Sequence, residues 1–120
     1  MDRPYRHLDV ECQGDVYCAR LTRTHLDEAA LNELGQEMTR LVDEGCRKLV
    51  LSLGPDSPQC MYSVFLAKLV TLRRRLHECG GSLKITDAGP DTLRLFEVCR
   101  LRDYFDFTPD RSTAIASFVK

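Results

Sequence analysis

No stretch of the 120-residue chain stays apolar over the roughly 20 residues a membrane-spanning helix needs. Charge of one sign is also missing. Lysine and arginine number 17 against 18 acids, and the formal net charge of -1 gives no long-range pull toward nucleic acid or an anionic membrane. The opening Met1-Asp2-Arg3-Pro4-Tyr5-Arg6-His7 has no apolar h-region. No secretory signal is expected, and the expected compartment is the cytoplasm. There is no glycine-rich phosphate loop, no metal-ligand motif and no paired-carboxylate motif. Neither nucleic acid nor membrane is therefore expected as a partner, and no cofactor or metal.

Cysteine is present but without pattern. Cys12, Cys18, Cys46, Cys60, Cys79 and Cys99 contain no C-x-x-C pair and are scattered through the apparent elements. They read as reduced, buried small hydrophobes rather than as a disulfide set or metal site. His77 and Cys79 lie two apart on one helix and point to different faces, which is poor geometry for a shared metal ion. His7 and His25 read as terminal and loop residues. Cys60, Tyr62, Ser63 and His77 could be imagined as a nucleophile set. Cys60 and His77 fall at opposite ends of one element and cannot meet within it. No enzyme activity is expected.

What is there is ordinary globular material, 43% apolar and 29% charged, of a length that fits one domain over residues 1–120. Leu8 to Glu11 and Val16 to Leu21, with Gln13-Gly14-Asp15 between them, predict a β-hairpin. Asp27 reads as a helix N-cap, followed by Leu31, Leu34, Met38, Leu41 and Val42 at helical spacing, with Gly45 as the stop. Lys48 to Leu53 reads as a buried strand and Gly54 to Gln59 as a loop. A helix is predicted from Met61 to Cys79, with Phe65, Leu66, Leu69, Leu72 and Leu76 on one face and Gly80-Gly81 at its end. Lys68, Arg73, Arg74 and Arg75 read as a solvated face, with the stem of Arg73 leaning on the core edge. Leu83-Lys84-Ile85 is a short strand. Pro90 opens a third helix with Leu93, Phe96 and Val98 as core candidates. Tyr104 to Phe107 is a short strand. Pro109-Asp110 starts a terminal helix carrying Ala114, Ile115, Phe118 and Val119. Strands alternating with helices after an opening hairpin imply an α/β fold, a mixed sheet with helices packed on it and parallel strands in the middle.

Several stretches in this order resemble the STAS domain family, the fold of bacterial anti-sigma factor antagonists. They are Leu26-Asp27 with Glu33-Leu34, Arg47 to Leu53, Gly80 to Ile85, Leu95 to Leu101, and Phe107 to Ile115. The resemblance runs from about Val10 to Phe118. It implies a STAS-type mixed sheet of four to five strands with about four helices packed on it. It also implies a non-enzymatic protein-binding module in bacterial partner-switching signalling. In that family a partner kinase, which doubles as the anti-sigma factor, phosphorylates a serine in an Asp-Ser-Ser-Gly motif at the start of the second helix. Counting back from Gly80-Gly81 puts Tyr62-Ser63-Val64-Phe65 on those positions, and only Ser63 matches. The loop before it is two residues longer than the family's.

The resemblance therefore makes Ser63 the candidate phosphorylation site, and with Tyr62 in place of the family's acid and Phe65 in place of its glycine, phosphorylation there is expected to be weak or absent. The resemblance also implies a partner surface of Asp56, Ser57, Gln59, Met61, Tyr62 and Ser63, facing a serine kinase, an anti-sigma factor or a related signalling protein. Two alternatives remain open. One is a scaffold subunit of a larger signalling complex that never cycles through phosphorylation. The other is a small-ligand or nucleotide sensor using the same loop.

Overall fold

The computed structural model of the chain describes residues 5–22, 25–53, 59–60 and 62–118; of 59, 60 and 62 it describes the backbone alone. Leu8–Gln13 (β1) turns through Gly14 and Asp15 into Val16–Leu21 (β2), with Gln13 opposite Val16. Gly14 has φ +64°, the conformation that the first central position of a two-residue II′ hairpin turn demands. His25–Leu26 (β3) leads into Glu28–Asp43 (α1), where the Asp27 carboxylate accepts the Ala30 N–H at 2.8 Å. That is the N-cap the sequence predicts. Lys48–Ser52 (β4), Gln59–Cys60 (β5), Tyr62–Glu78 (α2) and Ser82–Thr86 (β6) follow. Pro90–Val98 (α3), Asp106–Thr108 (β7) and Arg111–Phe118 (α4) complete the order.

The main sheet has five strands in the order β1-β2-β4-β6-β7. β1 and β2 are antiparallel, and every later pairing is parallel. Side chains alternate across it, so Leu49, Leu51 and Ile85 face one side, where Leu31, Leu34 and Met38 of α1 and Phe65, Leu69 and Leu76 of α2 bury them. Val16, Cys18 and Val50 face the other side under Ala114 of α4. The mixed sheet with four helices is the architecture the sequence implies, and the core positions of α1 and α2 are those its helical spacing marks.

The structure also revises several readings. The sequence places Gln59 and His25 in loops, but β5 and β3 pair in parallel as a second, two-stranded sheet. A two-residue strand has no period to detect. The last strand of the main sheet begins at Asp106, not Tyr104. The N–H groups of Tyr104 and Phe105 instead close a turn on the Leu101 carbonyl at 3.1 and 3.3 Å. Val98 is 74% exposed rather than core, because Thr92 and Phe96, one turn apart, take the inward face of α3. Val119 lies outside the described residues.

His7 is not a loose terminal residue. It is 2% exposed, its Nε2 stands 3.0 Å from Glu33 Oε1, and the backbone N–H groups of Arg6 and His7 each donate to Glu37 at 3.0 Å. Tyr5 donates to Glu44, so residues 5–7 lie as a strap along α1. Cys18 and Cys46 are buried as expected of small hydrophobes. Cys12, Cys79 and Cys99 are exposed, because they sit on an edge strand and just past two helix ends; all five are free thiols.

Candidate functional site

The ends of the parallel strands set up the site. At the exit of β4, Leu53 N–H donates to the Thr86 carbonyl at 3.1 Å, and Ser52 Oγ donates to Asp87 Oδ2 at 2.7 Å. Thr86 Oγ1 donates to the same oxygen at 2.9 Å. Asp87 has φ +59°, a left-handed conformation that aspartate tolerates better than most side chains. It clamps the carboxyl ends of β4 and β6 together. Sequence reasoning passed over Asp87; an acid two residues after a predicted strand was the available signal.

The chain then reaches α2 through β5. Because β5 pairs in parallel with β3, the strand that precedes α1 and the strand that precedes α2 run side by side. The two helix starts differ in charge. α1 opens with the Asp27 cap and Glu28, whereas the first turn of α2 carries no acid. The opening N–H groups of a helix lack intrahelical acceptors, and the dipole adds positive potential there. At α2 that potential is not offset by an acidic side chain in the first turn.

Ser63, the second residue of α2, is exposed at this point. Phe65, at the place where the family resemblance has glycine, is 1% exposed and packs in the core. The bulky replacement therefore does not obstruct the surface. The outward side of the first turns carries Ser63, half-buried Val64 and exposed Ala67. Of the other residues assigned to the partner surface, Asp56, Ser57 and Met61 lie outside the described residues. Gln59 falls in β5 and Tyr62 opens α2. The described part of this surface is thus β5, the start of α2 at Tyr62, and exposed Ser63. Among the described residues no group of three metal-binding side chains comes together, and no helix is long and apolar enough to cross a membrane.

No family model and no curated protein matches the sequence, so the likeness to known proteins is carried by backbone geometry. A Thermotoga maritima protein assigned as an anti-sigma factor antagonist superposes with TM-score 0.80 at 16% identity, over 94% of this chain and 95% of its own. An anti-sigma factor antagonist from Mycobacterium paratuberculosis gives TM-score 0.77 at 22% identity, over 92% and 91% of the two chains. The antagonist SpoIIAA in its unphosphorylated form gives 0.68 at 13% identity, over 93% of this chain and 96% of that one. SpoIIAA of Bacillus in its phosphorylated form gives 0.66 at 15%, over 92% and 98%. The chain has the STAS fold, shared with the anti-sigma factor antagonists, as the resemblance in its sequence implied.

Proposed function

We propose that this chain is a non-enzymatic signalling module that works as an anti-sigma factor antagonist does in bacterial partner switching. Its β5–α2 junction docks on a protein partner, a serine kinase that doubles as an anti-sigma factor or a related signalling protein. Phosphorylation of Ser63 releases that partner. The observation that carries this reading is the exposure of Ser63 in the first turn of α2, on a backbone shared with antagonists that include SpoIIAA, known in unphosphorylated and phosphorylated forms. A phosphate there adds roughly -1.5 to -2 charges, which the helix amino end favours and a close interface does not tolerate.

The departures from the family motif support a second reading. Tyr62 stands for the acid and Val64 for the second serine, so a kinase that reads those residues meets different chemistry. On this reading the chain is a scaffold subunit of a signalling complex and is never phosphorylated.

Affinity capture from the native cell followed by mass spectrometry separates the two. The switch reading expects a serine kinase or anti-sigma factor retained by the native chain and by Ser63→Ala, lost with Ser63→Asp, and phosphate on Ser63 without phosphatase treatment. Equal capture by all three chains, with no phosphate on Ser63, removes the switch and leaves the scaffold.

A further inference from the structure

The basic side chains divide into two populations. On the strands, the strap, α1 and α4, most have a carboxylate partner: Arg20 with Asp9 at 3.5 Å, Lys48 with Asp15 at 2.8 Å, Arg111 with Glu11 at 2.8 Å. On α2, Lys68, Arg73, Arg74 and Arg75 have no such partner among the described residues. The helix offers one acid against them, Glu78.

Arg73 is held in a particular way. Its guanidinium carbon sits 4.1 Å from the centroid of the Tyr104 ring, and Tyr104 stands edge-on to buried Phe105 at 5.2 Å. The ring holds the cation in place, but its face does not satisfy the guanidinium's in-plane N–H donors. Beside Arg73 an open cavity of about 370 Å³ is lined by His77, Lys84, Tyr104, Asp103 and Asp106. Asp106 is bonded to Lys84, and among the described residues Asp103 has no ion-pair partner.

We infer that the carboxyl half of α2, with Tyr104, is a docking surface for an acidic protein segment, a glutamate- or aspartate-rich stretch of a partner, and that Arg73 seats one of its carboxylates in the cavity. A stacked arginine meets a carboxylate through two parallel N–H···O bonds and loses little further freedom in doing so. Arginine and tyrosine are common anchors of protein interfaces. Exposed Arg74 and Arg75 add a field that speeds encounter with an acidic chain. Asp103 and Glu78 disfavour a continuous phosphate backbone, whereas carboxylates on a peptide can be spaced to avoid them. The surface lies about 15 Å along α2 from Ser63, at about 1.5 Å per residue, and does not depend on Ser63 being a switch.

The test titrates the full chain into a fluorescein-labelled glutamate octapeptide and, separately, a labelled single-stranded oligodeoxynucleotide, at about 50 mM and about 200 mM salt. Fluorescence anisotropy should show peptide binding that weakens with salt. Arg73→Ser should weaken it by about tenfold, and Arg73→Lys, which keeps the charge and loses the fork, by severalfold. Lys48→Ser, the same charge removed from β4, should leave it within about twofold. In the native chain the Arg73 Nε–H resonance should shift as peptide is added, a readout independent of how the variants fold. Absence of peptide binding, equal loss with Lys48→Ser, an unmoved Arg73 resonance, or tighter binding of the oligonucleotide would each overturn the inference.

Discussion

Gly81 stands directly against the carbonyl of Arg47. A Cβ at Gly81 would lie 2.3 Å from that oxygen, which also accepts the Ser82 N–H at 2.8 Å. The end of α2 is thereby pressed onto the start of β4, and neither backbone can yield cheaply. Gly81→Ala should destabilise the fold by about 2–3 kcal/mol in urea unfolding. Gly35 makes the opposite case. A Cβ there would meet Lys68 Cδ at 2.8 Å, but that contact is the outer part of a flexible side chain. Gly35→Ala should stabilise by about 0.5–1 kcal/mol, the helix preference of alanine over glycine. Equal effects at the two positions would show that close backbone approach is not what Gly81 provides.

Two apolar residues of α3 should behave in opposite ways. Phe96 is fully buried and meets Phe105 and Phe107 edge-on at 5.4 and 4.9 Å. Phe96→Ala should cost about 3–5 kcal/mol. Val98 is exposed, and Val98→Ser should stay within about 0.5 kcal/mol of the native chain. Thermal unfolding of both variants checks the inward face of this helix.

Thiol reactivity should follow position. Native-state alkylation followed by peptide mapping should label Cys12, Cys79 and Cys99 quickly and leave Cys18 and Cys46 until the chain unfolds. Burial pushes the Cys46 thiol up from 9.0 to about 12, with Cys12 adding to the rise and Arg47 opposing it. Burial, then the hydrogen bond to Glu44, pushes Tyr5 up from 10.0 to about 12. Both groups hold their protons longer folded than unfolded. Their contribution to stability is complete below the unfolded values and is lost as pH climbs from about 9 to about 12. Each group can supply a slope of at most about 1.4 kcal/mol per pH unit. Urea midpoints should fall across this range, and fall less steeply in Tyr5→Phe. A flat alkaline profile would count against both burials.

Helix ends give a further contrast. Asp27→Ala removes the carboxylate that caps α1 and should cost about 1 kcal/mol. Ser63→Asp places an acid in the bare first turn of α2 and should be neutral or stabilising by about 0.3–1 kcal/mol. Calorimetry of the two variants checks the signs. A stable Ser63→Asp also means that lost partner capture would report the interface and not unfolding.

The parts legible in the sequence are those encoded over a few residues. Leu31, Leu34, Met38 and Leu41 repeat at helical spacing, Asp27 stands where a cap must, and Leu49-Val50-Leu51 is apolar on both faces because both faces of β4 are covered. From these came the α/β class and the mixed sheet, while Ser63 was placed in the opening turn of α2 by the helical spacing of Phe65, Leu69, Leu72 and Leu76 and by the count back from Gly80-Gly81. Only the tertiary structure decided what depends on distant partners. The β3–β5 pairing needs two short segments more than 30 residues apart in sequence to run together. His7 is buried because Glu33 and Glu37 receive it from α1. Arg73 is stacked because the turn after α3 delivers Tyr104. Period and capping act within a turn of helix or a pleat of strand, whereas these contacts exist only after helices and strands have packed, when the packing itself selects which side chains meet.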